Sequence, residues 1–104
     1  MKTEIHSAAK VKFTADTRLA AAAAGVARYF ADAAGAESDA VAKLQSETLE
    51  ACNAAIAQLA DKSTQLLVEV TRFADRIEVE VAQGGGAPIT RIIKHVPQSS
   101  SAST

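Results

Sequence analysis

A chain of 104 residues makes one domain, able to bury about 65% of its unfolded surface on folding, and eleven Lys and Arg against twelve Asp and Glu leave a net charge of −1. That balance excludes the basic footprint of a nucleic-acid binder or of a protein held on an anionic membrane. No apolar run is strong enough to span a bilayer, nothing at the start points to secretion, and a single cysteine, Cys52, forbids an intrachain disulfide; the expected setting is a soluble protein of the reducing cytoplasm.

From Glu4 to Thr14 the pattern has period two. Ile5, Ser7, Ala9, Val11 and Phe13 share one face, with Glu4, His6, Lys10, Lys12 and Thr14 on the other. This predicts a half-buried strand whose lysines suit an exposed edge. Thr14 and Asp16 offer capping oxygens for a first helix. Along it Leu19, Ala22, Ala23, Val26, Tyr29, Phe30 and Ala33 recur at threes and fours, which predicts the buried stripe. Gly35 suits the left-handed stop.

A second helix is expected from Ser38 and Asp39 to about Asp61–Ser63. Val41, Leu44, Thr48, Cys52, Ile56 and Leu59 make its inner stripe, and Lys43 stands four residues before Glu47 on an outer flank. Two strands follow, Thr64 to Phe73 and Arg76 to Ala82. The second alternates Ile77, Val79 and Val81 against Arg76, Glu78 and Glu80, and the short Ala74–Asp75 loop makes the pair an antiparallel hairpin.

Gln83 to Pro88 reads QGGGAP, a loop or tight crossing. Ile89 to Val96 fits helix or strand by spacing; its β-branched content and flanking breakers favour a strand. Residues 97 to 104, PQSSSAST, form a polar tail expected to be disordered. The fold class predicted is a single α/β (α+β) domain over residues 1–96, a two-layer sandwich with both long helices on one face of a small, mostly antiparallel sheet. Its core is expected to be thin, because 24 residues are alanine and only three Phe and one Tyr supply bulk. Each missing methylene forgoes about 0.8 kcal/mol.

The segment Leu44 to Ala60, LQSETLEACNAAIAQLA, resembles the N-box helix of the GHKL (histidine kinase-like) ATPases, and most of all that of the anti-sigma-factor serine kinases of bacteria. Glu50-Ala51-Cys52 matches that family's Glu-Ala-Cys, and Ala55-Ile56 its apolar continuation. The layout over residues 4 to 88 is similar as well: strand, long helix, N-box helix, then a hairpin ending in a glycine-rich turn. The resemblance implies a nucleotide-binding scaffold that docks sigma factors or anti-anti-sigma regulators.

In that family the N-box Glu orients or deprotonates a water or hydroxyl, and the Asn four residues later helps hold Mg²⁺. Glu50 stands at the first position and would be the catalytic residue; Ala54 stands at the second. Asn53 is adjacent, but one residue is a rotation of about 100° around a helix. The family histidine falls on Gln58. In the adenine-reading Asp-x-Gly-x-Gly motif, Gln83 replaces the Asp, Gly85 keeps the first glycine and Ala87 replaces the second. Asn53, Gln83 and Gly85 are therefore the candidate nucleotide contacts. The residues after Pro88 leave no counterpart to the ATP lid or to the later glycine-rich box.

Each feature has a plainer reading. Glu50 and Asn53 also read as polar residues on a solvated helix face, Gly84 to Ala87 as a flexible connection, and Cys52 as a small buried hydrophobe. His6 and His95 lack partners at metal-ligand spacing, so no metal site is expected, and Ser99 to Ser101 read as a solvated tail. Three functions follow. The first is a non-catalytic regulatory module with a degenerate nucleotide site and no cofactor, which docks a protein partner through its helix-rich face or its exposed edge strand, or self-associates into a homodimer. The second is a minimal ATP- or ADP-binding regulator or serine kinase using Mg²⁺. The third is a small α/β domain unrelated to that family.

Overall fold

The computed structural model describes residues 5–96; the predicted tail at 97–104 lies outside them. Six elements follow in the order β1 (Ile5–Phe13), α1 (Thr17–Ala33), α2 (Ser38–Gln58), β2 (Leu66–Phe73), β3 (Arg76–Gln83) and β4 (Pro88–His95). The four strands form one sheet in the order β1-β2-β3-β4, and each neighbouring pair is antiparallel. The sheet is thus wholly antiparallel rather than mostly so, with both helices packed against it. The segment at 89–96 that spacing alone left open is strand.

The sheet face toward the helices is built by alternation. Phe13, Leu66, Val68, Val70, Ile77, Val79 and Val81 are buried, and the registers Phe13↔Leu66, Val68↔Val81 and Val70↔Val79 stack them across the strands. Branched side chains directly opposite one another are the stabilising unit of such a sheet. At its far end the β2–β3 hairpin is clamped by Arg76, whose guanidinium lies 4.0 Å from the Phe73 ring centroid. It donates to Asp75 at 2.8 Å and to Glu78 at 2.7 Å.

Helix α1 starts where expected: the Asp16 carboxylate accepts from the Arg18 backbone N–H at 2.8 Å and caps the first turn. It also ends where expected, at Gly35 with φ +84°. The Ala36 N–H reaches the Ala31 carbonyl and the Gly35 N–H reaches that of Asp32, closing the terminus in the left-handed manner that glycine permits.

Its buried face, however, is not the predicted one. Ala20, Ala23, Ala24, Ala27 and Ala31 are buried, whereas Leu19 is 39% and Tyr29 69% exposed. The helix turns its smallest side chains inward and approaches its neighbours closely. Burying that face leaves the bulky residues on a flank, with Val26 and Phe30 partly buried against the core.

Helix α2 buries Val41, Leu44, Thr48, Cys52 and Ala55, close to the expected stripe, with Ile56 at its margin. The Thr48 hydroxyl is satisfied by donating to the Leu44 carbonyl at 2.7 Å. The helix ends at Gln58, before the predicted Asp61. Leu59 turns extended and drops into the core, while Asp61 caps the following turn by accepting from the Ser63 N–H and hydroxyl. Glu47 does not serve the expected pair with Lys43. It meets Lys94 of β4 at 3.2 Å, because the flank that carries it faces the edge of the sheet.

Candidate functional site

Alongside β4, α2 stands off from the sheet edge and leaves an open groove of about 560 Å³, lined by Glu47, Glu50 and Ala51 from the helix and by Thr90 to Lys94 from the strand. Positions 47, 50 and 51 lie on one helical flank, which Ala54 continues, whereas Asn53 is rotated about 100° from it. Glu50 is thus the candidate residue that reaches the groove. Its neighbours there are charged. Lys94 pairs with Glu47, Arg91 turns to the outer face of the sheet and pairs with Glu80 at 2.6 Å, and Glu50 has no ion-pair partner among the described residues.

The other candidates stand elsewhere. Asn53 is exposed on α2. Gln83 ends β3, half-buried, opposite Leu66. Gly85 occupies the β3–β4 turn with φ +81°, a conformation that costs glycine nothing. That turn is held to the sheet by the Gly84 N–H donating to the Gln65 carbonyl at 2.6 Å and the Gly86 N–H to that of Gln83 at 2.8 Å. A Cβ at Gly84 would lie 3.1 Å from the Gln65 oxygen, so the glycine there serves a close backbone approach. A second hollow, about 190 Å³ on the outer face of the sheet, includes Gly86 and Pro88 in its lining but none of the four candidates.

As a set these side chains do not make a magnesium–nucleotide cradle. Ala54 offers no oxygen where the resemblance would need one, and neither Asn53 nor Gln83 shares the groove of Glu50. After Pro88 the chain enters β4 at once and pairs with β3. Cys52, on the buried stripe of α2, has its thiol pushed up to about 11 by burial, far from the thiolate a nucleophile needs. Among the described residues no three His, Cys, Asp or Glu side chains gather as a metal site would require, and no helix is long and apolar enough to cross a membrane.

Sequence reasoning missed Ile92 and Lys94 as residues that line the same groove as Glu50. The alternation of β4 contained a signal, since Thr90, Ile92 and Lys94 fall on one face, but nothing local said which helix that face would meet. No protein-family model and no curated protein matches the chain.

Proposed function

We propose that the domain is a regulatory protein-interaction module of the anti-sigma-factor type, in which the nucleotide site is degenerate and the work is done by docking a partner protein. The observation that carries this reading is the scatter of the four candidate residues: Glu50 lines the α2–β4 groove while Asn53, Gln83 and Gly85 do not. Ala54 lacks the oxygen, Gln83 puts a neutral amide in place of the carboxylate, and Ala87 replaces the glycine that nucleotide chemistry of this type uses. The partner class is that of the resemblance, a sigma factor or an anti-anti-sigma-like regulator, and the setting is the cytoplasm.

One observation favours the alternative, a minimal ATP- or ADP-binding regulator or serine kinase. Glu50 shares its groove with Lys94, a cation that phosphates would seek. Calorimetric titration of Mg-ATP and of ADP separates the two. No heat at millimolar nucleotide is the result expected for a docking module. Saturable binding that is lost in Glu50→Ala overturns it and makes serine phosphorylation of a partner the next assay.

A further inference from the structure

Among the described residues the sheet has two edge strands, β1 and β4, and they differ in chemistry. On β1, Lys10 and Lys12 stand on the outer face, and neither forms an ion pair among the described residues. Lysines on an edge discourage another strand from pairing there; of the two, Lys10 has Glu69 opposite it in the register and Lys12 has Leu67. On β4 both cations are already neutralised by the chain's own carboxylates, Arg91 by Glu80 and Lys94 by Glu47. This edge also carries Ile89 and Ile93, 47% and 45% exposed.

Among the described residues no strand pairs with its outer side. The Val96 N–H donates to the Asp75 carbonyl, and antiparallel backbone groups alternate in direction. The groups of Thr90, Ile92 and Lys94 therefore face β3, leaving those of Arg91, Ile93 and His95 facing outward. Behind this edge lies the α2 groove with Glu50 in its wall.

We propose that β4 binds an extended segment of a partner protein as a fifth strand, and that the segment carries Lys or Arg at the residue opposite Ile92, facing Glu50. The proposal rests on the docking reading and names its surface. Strand addition supplies affinity through the free main-chain groups, and the groove supplies specificity through alternate side chains. A residue opposite Ile92 projects to the helix side of the sheet, where Glu50 has no ion-pair partner among the described residues. Apolar residues opposite Arg91 and Ile93 would cover the exposed isoleucines.

Charge argues against the other occupants. A second copy docking through β1 would bring Lys10 and Lys12 to the outer face beside Arg91. A second copy docking through β4 offers only Lys94, which is engaged with Glu47. The chain's own segment 97–104 contains no cation.

The test is a titration of the ¹⁵N-labelled full chain, followed by its amide spectrum, with a capped octapeptide of alternating threonine and valine carrying one central lysine. Glutamine and glutamate versions of the peptide serve as controls. Expected are saturable shifts centred on the amides of Arg91, Ile93 and His95, with the glutamate peptide at least tenfold weaker. Glu50→Gln should erase the preference for lysine over glutamine. Ile93→Pro removes an outward N–H that the fold itself does not use, and should abolish binding with the melting transition retained; if that variant does not fold, the loss of lysine preference in Glu50→Gln still decides.

Four results overturn the proposal: no saturable shift on β4, shifts centred on β1 instead, a lysine preference that survives Glu50→Gln, or binding seen only after removal of residues 97–104. A concentration-dependent dimer abolished by Ile93→Pro also overturns it, by giving the edge to a second copy. Failure here leaves docking through another face intact, whereas saturable Mg-ATP binding defeats the docking reading without touching the peptide result.

Discussion

Cys52 is fully buried on α2, and its burial pushes the thiol up to about 11. The proton is therefore held more tightly in the folded chain than in the unfolded one, whose value is near 9.0. This contribution to stability is complete below pH 9 and is lost as pH rises from there through the folded value. Urea midpoints measured from pH 7 to 11 should fall above pH 9, and a Cys52→Ser control should flatten that part of the curve. Iodoacetamide should leave the native thiol almost unmodified and label it promptly in urea. Fast labelling of the native chain would mean that α2 opens or that Cys52 is not where the structure has it.

At the opposite end of the pH scale, the partners of Asp16, Asp61 and Asp75 hold all three below the usual carboxylate value: the Arg18 guanidinium and N–H beside Asp16, the Ser63 N–H and hydroxyl at Asp61, and the Arg76 guanidinium at Asp75. Lowered acids stabilise above their unfolded value, 3.8, and that stability is lost as pH falls through the folded value. A thermal melt should be level between pH 5 and 7 and drop below about pH 4, less steeply in Asp16→Asn.

At the scale of the element, α1 gives the sharpest contrast between pattern and packing. Ala27 is wholly buried while Tyr29 is mostly exposed, so Ala27→Val should destabilise by about 1–3 kcal/mol through overpacking. Tyr29→Ser should change stability by no more than about 0.5 kcal/mol. Chemical denaturation of the two variants checks the inverted face directly; were Tyr29→Ser the more damaging, the helix would be rotated from the orientation described. In the β3–β4 turn, Gly85→Ala forces a side chain into a positive φ and should cost about 1 kcal/mol, read from the same unfolding curves.

The periodicity that located α1, its Asp16 cap and its Gly35 stop was legible because capping and termination are local chemistry. Which of two adjacent stripes turns inward was not. Apolar spacing at threes and fours fits Leu19-Val26-Tyr29 as well as Ala20-Ala24-Ala27-Ala31, and alanine's advantage appears only when another element comes close. The same limit applies to Glu47. Its i, i+4 relation to Lys43 was visible in the sequence, while Lys94, 47 residues away, was not.

For the whole molecule, the layered plan sets a gradient of protection. β2 and β3 are the inner strands of the sheet, and Val68, Val70, Val79 and Val81 are wholly buried. Hydrogen exchange of their amides should be the slowest, at rates governed by global unfolding. The outward amides of Arg91, Ile93 and His95 should exchange fastest within β4 despite lying in a strand. Slow exchange there in the isolated chain would show the edge already covered.

What the sequence determined by itself was the set of elements and the class of fold, because helix and strand periods, caps and the Ala74–Asp75 turn all act within a few residues of one another. The lysine-bearing edge at β1 was already expected from its alternation. Tertiary structure alone decided that Glu50 faces β4, that α1 buries alanine rather than tyrosine, and that the cations of β4 pair with Glu80 and Glu47. Those outcomes depend on which distant surfaces meet, and a meeting of surfaces is fixed by the combined burial and charge pairing of the folded chain, which no local window of sequence contains.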